Sequence, residues 1–130
     1  MPELSPDGME FVTARGLASL TTLRGDGTPH VTPVGYTWDD AAGLVRVICG
    51  GGSQKVVNAR RRPRVAVCQA DGPRWLTFEG TAEVSDDPAR VAEAVERYAR
   101  RYREPRVNPR RVVIEIAVDR VLGSEALRRH

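Results

Sequence analysis

Leu17-Ala-Ser-Leu-Thr-Thr-Leu-Arg-Gly-Asp-Gly-Thr-Pro-His-Val-Thr-Pro-Val-Gly-Tyr-Thr-Trp38 decides the fold class. Leu17–Arg24 is an apolar, β-branched strand, Gly25-Asp-Gly27 has turn chemistry, and Pro29–Trp38 is the returning strand. The return carries Pro33 and Gly35. A central, fully paired strand tolerates both badly, so this one lies at an edge, holds a bulge, or meets a ligand at close range.

The pattern repeats outward from this hairpin. Asp39-Asp-Ala-Ala-Gly43 is a second turn and Leu44–Cys49 a third strand. Arg64–Gln69 and the alternating run Arg74–Val84 are strands four and five, separated by Asp71-Gly-Pro73, and Arg111–Leu122 is strand six. Three helices intervene: residues 5–15 with Phe11 and Val12 as their apolar edge and Gly16 at the end, residues 53–62 stopped by Pro63, and residues 88–103 opened by a capping acid and Pro88. Val91, Val95, Tyr98 and Tyr102 give the last helix a packing face. Turn-linked sequential strands predict a mainly β protein with short helices, a six-stranded antiparallel barrel.

The chain has 130 residues, 41% of them apolar and 28% charged, which fits one domain over 1–130. No apolar run approaches the ~20 residues that span a membrane, and Met1–Gly8 does not read as a secretory signal, so a cytoplasmic protein is expected. Cys49 and Cys68 read as buried, reduced thiols in apolar strands. Net charge is +3, with arginine gathered at 60–64 and again over 97–111. Such clusters are solvated faces or sites for carboxylates and phosphates.

Several chemistries are demoted. His30 is the only internal histidine and no Gly-x-Ser-x-Gly elbow accompanies it, so a hydrolytic triad has no base. Two separated cysteines and one histidine do not make a zinc site, and no metal is expected. The acid pairs Asp39/Asp40 and Asp86/Asp87 lie at turns and caps. Aromatic residues, 5%, are too sparse for a base-stacking nucleic-acid surface. The chain is poor in side chains that react by themselves, so an enzymatic reading requires a cofactor.

Lys55 is the sole lysine, just after Gly50-Gly-Gly-Ser53. With Ser53 as N-cap it sits in the first helical turn, where a cation opposes the macrodipole at a cost of about 0.3–1 kcal/mol. A bound phosphate would compensate, held by free N–H groups, the Ser53 hydroxyl and the ammonium, with the glycines admitting it closely. The alternative is a solvated lysine in a glycine turn.

Leu20–Asp39, then Gly51-Gly-Ser-Gln-Lys-Val-Val-Asn58 and Arg60-Arg-Arg-Pro-Arg-Val-Ala-Val67, resemble the pyridoxamine-phosphate-oxidase-like split barrels. Arg74-Trp-Leu76, Arg101–Glu115 and Val121-Leu-Gly-Ser124 are similar to the branch of that family that uses the deazaflavin coenzyme F420. The resemblance spans about residues 11–127. It implies a homodimer of six-stranded split barrels with the cofactor between subunits, and hydride transfer from reduced F420 to a small conjugated acceptor such as a linear tetrapyrrole. Carried over by position, it implies that His30, Val31, Thr32 and Pro33 line the ring, largely through backbone. Gly51, Gly52, Ser53, Gln54 and Lys55 would hold the phosphate with Asn58 nearby, and Arg74 and Trp75 would flank the ring or tail. Arg103, Arg106 and Arg110 are candidates for substrate or cofactor carboxylates. No residue stands out as proton donor, leaving water or an arginine-held water. No counterpart of the oxidase's C-terminal pyridoxal-phosphate segment is evident, which points away from vitamin oxidation. The same fold working with FMN, or as a non-enzymatic cofactor or heme binder, is the competing expectation.

Overall fold

The computed structural model describes residues 3–129. In chain order it contains α1 (Pro6–Thr13), β1 (Ala18–Leu23), β2 (Pro29–Val34), β3 (Thr37–Asp39), β4 (Leu44–Gly50), α2 (Gln54–Arg61), β5 (Arg64–Asp71), β6 (Arg74–Ser85), α3 (Pro88–Arg101), β7 (Arg111–Gly123) and a 3-10 turn at Glu125–Leu127. Every strand pair is antiparallel, in one sheet ordered β2-β1-β5-β6-β7-β4-β3. Among the described residues, no helix is long and apolar enough to cross a membrane.

Mainly antiparallel β with short helices is what the sequence predicts. The count and the closure of the barrel are corrected: there are seven strands, and the sheet stays open. The expected single strand Pro29–Trp38 is two strands, β2 and β3, which are consecutive in the chain yet form opposite edges of the sheet. The cause lies at Gly35 and Tyr36. The Tyr36 N–H donates to Tyr102 Oη at 3.2 Å, and the Tyr36 carbonyl accepts from Arg101 Nη1 at 2.5 Å. Backbone groups engaged by side chains cannot join a ladder, so pairing passes from β1 to β4 here. The C-terminal end of α3 thus stoppers the slit between the two edges.

The sheet wraps a core that includes Leu20, Val45, Val67, Leu76, Phe78, Ile114 and Ile116. Trp38 stacks on Phe78 at 5.0 Å, and Tyr36 tilts against it at 5.7 Å. α1 seals one end with Phe11 and Val12 and stops at Thr13, before Gly16. α3 opens as expected, with Pro88 in its first turn and the Asp87 carboxylate accepting from the Arg90 N–H.

Ion pairs hold α3 on the sheet. Arg46 is only 7% exposed and donates to Asp39 at 2.8 Å, while Arg97 of α3 reaches the same carboxylate oxygen at 3.2 Å. Arg90 bridges Glu83 of β6 and Glu115 of β7, the latter at 2.6 Å. Asp39 caps a turn, as its place in the sequence suggests, by accepting from the Ala42 N–H, but its larger role is to neutralise a buried arginine. Burial pushes its carboxyl up; the Arg46 and Ala42 hydrogen bonds and the charges of Arg97 and Arg46 outweigh this and leave it below the ordinary value.

Candidate cofactor cleft

β4 ends at Gly50, whose ladder partner is Arg111, the first residue of β7. Beyond that pair the chain turns into α2, and the corner forms one wall of a cleft of about 270 Å³. Lys55, Cys49, Arg111, Asn108, Pro33 and Tyr98 are among its lining residues. The turn is drawn close to the strand beside it. The Gly51 N–H donates to the Arg110 carbonyl at 2.8 Å, and a Cβ on Gly51 would lie 3.0 Å from that oxygen. A side chain here would press on that oxygen and need it to give by a few tenths of an ångström, which glycine avoids.

Ser53 is the N-cap of α2, but its hydroxyl donates back to the Gly50 carbonyl at 2.9 Å and makes no capping bond. The Val56 N–H donates to the Ser53 carbonyl at 3.1 Å, while the Gln54 and Lys55 N–H groups have no acceptor among the described residues and keep their partial positive charge for another. Lys55 adds a full charge beside them and forms no ion pair among the described residues. Cys49 is half-buried, not fully buried as expected. Burial pushes its thiol up, opposed by the nearby Lys55 charge and a Ser53 hydrogen bond.

The remaining candidates fall into distinct places. Gln54 Nε2 donates to Asn58 Oδ1 at 2.7 Å, and Asn58 Nδ2 donates to Thr22 at 3.0 Å. Asn58 is buried and spends its amide on fixing α2 against β1. Gly52 lies beside Arg110, whose Nη2 would stand 3.5 Å from a Cβ there. Pro33 reaches the cleft, together with Val34 and Gly35. Alternation along β2 puts His30 and Thr32 on one face and Val31 on the other. His30 Nδ1 is shielded from solvent with no hydrogen-bond partner, and Val31 is exposed. Because β2 is a sheet edge, one row of its backbone groups has no neighbouring strand.

Arg74 and Trp75 are not brought to this cleft. They start β6, whereas Ser85 ends it next to Val113, close to the Gly50–Arg111 pair. Across the sheet, Thr77 is in register with Cys68, Ser19 and then Pro33, so Trp75 lies about three strands from the β2 wall of the cleft. Arg74 lies over the Phe11 ring at 5.2 Å, and the Trp75 N–H donates to Ser124 Oγ at 3.0 Å. Arg106 and Arg110 are exposed on the loop between α3 and β7, and Arg103 lines a separate cleft.

The sequence reading missed Tyr98, Asn108 and Arg111. Asn108 shapes the turn into β7 by accepting from the Arg110 N–H at 2.9 Å, and Arg111 Nη2 donates to the Arg106 carbonyl at 2.6 Å. The Asn-Pro pair was a legible turn signal. Tyr98 showed only as one residue of a helical packing stripe.

The sequence profile of pyridoxamine 5'-phosphate oxidase matches residues 4–124. The chain belongs to that family. Among relatives of this oxidase-family chain, a Mycobacterium tuberculosis protein named F420H(2)-dependent biliverdin reductase is 54% identical over 124 residues, 95% of this chain and 90% of that one. A solved structure of a conserved hypothetical protein from Mycobacterium tuberculosis superposes with TM-score 0.78 at 29% identity, covering 92% of this chain and 83% of the other. A structure described as an F420 reductase superposes with TM-score 0.72 at 26% identity, covering 87% and 94%.

Proposed function

We propose that this protein is an oxidoreductase that passes a hydride from reduced coenzyme F420 to a conjugated acceptor, taking biliverdin to bilirubin. One observation carries the reading: an unpaired lysine at the uncapped start of α2 faces a cleft, in a chain 54% identical to a named F420H(2)-dependent biliverdin reductase. When bound, the reduced deazaflavin supplies the hydride.

The chain's own residues bind and orient. The Lys55 ammonium and the free Gln54 and Lys55 N–H groups take the cofactor's phosphate, where charge-assisted bonds are strongest, and the Gly51–Ser53 turn lets it approach. Gln54 and Asn58 keep α2 in place for that task. The free edge of β2, His30 to Pro33, meets the ring through its backbone. Arg74 and Trp75 do not line this cleft, and in this reading they serve the cofactor from a second copy. The reading therefore includes a cytoplasmic homodimer of one-domain chains with the cofactor between them. Arg103, Arg106 and Arg110 supply cationic partners for carboxylates.

The test is titration of the purified protein with F420 and with FMN, followed by biliverdin turnover under reduced F420. F420 binding with bilirubin formation is expected; FMN binding without F420 binding would overturn the proposal. Lys55→Ala should weaken F420 binding by about 1.5–3 kcal/mol, roughly 10- to 150-fold. Unchanged affinity would remove the phosphate role.

A further inference from the structure

Tyr98 has a cleft on each side. One is the cleft of Lys55; the other, about 260 Å³, is lined by Arg15, Gly16, Leu17, Tyr98, Tyr102 and Arg103. The wall between them is an aromatic pair, Tyr98 and Tyr102, with ring centroids 4.9 Å apart. A Cβ on Gly35 would lie 2.9 Å from Tyr98 and 3.1 Å from Tyr102, so the missing side chain lets the pair lie flat against the end of β2. Tyr102 is locked: its hydroxyl donates to the Gly16 carbonyl at 2.6 Å, and the Arg101 guanidinium stacks on its ring at 5.1 Å. The Tyr98 hydroxyl has no hydrogen-bond partner among the described residues.

The second cleft has the chemistry of a ligand site. Leu17 leaves 69% of its surface exposed at the rim, and the tyrosines offer ring faces. Arg15 and Arg103 are both exposed, and neither forms an ion pair among the described residues. Each cleft alone is slightly below the ~300 Å³ at which small-molecule pockets begin, so each suits one part of a larger assembly.

The geometry points to the second cleft as the acceptor site of the proposed reaction, taking a flat conjugated molecule with two carboxylates. Arg15 and Arg103 grip the carboxylates, and Tyr98 separates the acceptor from the phosphate end of the cofactor. This rests on the reading above and adds Arg15, Tyr98 and the acceptor's position to it. The shared chemistry is carboxylate binding, for which the acceptor and an acidic cofactor tail would compete.

The test compares wild type with Arg15→Gln and Arg103→Gln, using biliverdin and its dimethyl ester. Each substitution should raise KM for biliverdin about tenfold, leave kcat within about twofold, and leave KM for the diester unchanged. The Kd for F420 should not move. A raised F420 Kd with unchanged acceptor KM would assign the arginines to the cofactor tail and overturn the inference. So would equal effects on acid and ester, or a changed oligomeric state with unchanged KM. Biliverdin quenching of intrinsic fluorescence reads the same affinity without turnover. A wild type that binds biliverdin through Arg15 and Arg103 but does not reduce it would therefore keep the cleft and sink only the reaction.

Discussion

The arginines of α3 and those of the loop that follows it are neighbours in sequence and opposites in environment. Arg90, Arg97 and Arg100 all meet carboxylates, and Arg101 spends its guanidinium on the carbonyls of Ala14 and Tyr36 and on Gln69. Arg103, Arg106 and Arg110 meet none among the described residues. Within the first set, Arg90, Arg97 and Arg101 tie α3 to the sheet and its connections, while Arg100 pairs with Glu96 on the helix itself. Of the second, Arg103 lines one cleft together with Arg15, Lys55 lines the other, and Arg106 and Arg110 stay exposed on the loop. A run of basic residues therefore has no single meaning: a cation whose partners are internal is structural, and one left without partners is available to an anion from outside.

The comparison breaks most readily at Asp39. Asp39→Ala leaves Arg46 buried without its 2.8 Å partner and removes one of the two carboxylates that Arg97 meets. Stranding a buried charge typically costs about 3–5 kcal/mol, and urea unfolding should show a loss of that size. A loss below about 1 kcal/mol would mean that Glu93 and Glu115, at 3.7 and 3.9 Å from Arg46, suffice as partners.

Acid sharpens the same contrast. The Asp39 carboxyl is held below its ordinary value in the folded state, so it binds fewer protons there than in the unfolded chain. Its contribution is complete above the unfolded value of ~3.9 and is lost as pH falls through the lower folded value. The difference in unfolding free energy between wild type and Asp39→Ala should be flat near neutral pH and shrink below about pH 4. A difference that grows on acidification would contradict the ion-pair assignment.

Much of this was legible in the chain and some of it was not. Hairpin turns, strand alternation and the Asp87–Pro88 helix start are local features, and local features read well. The split at Gly35–Tyr36 was visible only as two awkward residues in one strand, because its cause is the hydroxyl of Tyr102, 66 positions away. The solitary lysine after three glycines is another local feature, and it lines a cleft. The inward-facing bond of Asn58 to Thr22 depends on tertiary packing and has no local sign. Arg74 and Trp75 carry no local sign that they fall outside the cleft of Lys55, because their partners, Phe11 and Ser124, come from distant parts of the chain.

The smallest expected effect tests the other half of the comparison. The side chains of Arg106 and Arg110 make no hydrogen bond or ion pair among the described residues; their structural work is done by their carbonyls, which accept from Arg111 and Gly51. Arg106→Gln and Arg110→Gln keep those carbonyls and remove only charge. Exposed changes of this kind fall within about 0.5 kcal/mol, so both variants should match the wild-type urea midpoint. The two remaining loop cations would still attract anions, and any loss in acceptor or cofactor affinity should fade as salt rises, because exposed charges are screened beyond about 10 Å at 0.1 M. A destabilisation above about 1 kcal/mol in either variant would place these arginines with those of α3 and dissolve the distinction between cement and bait.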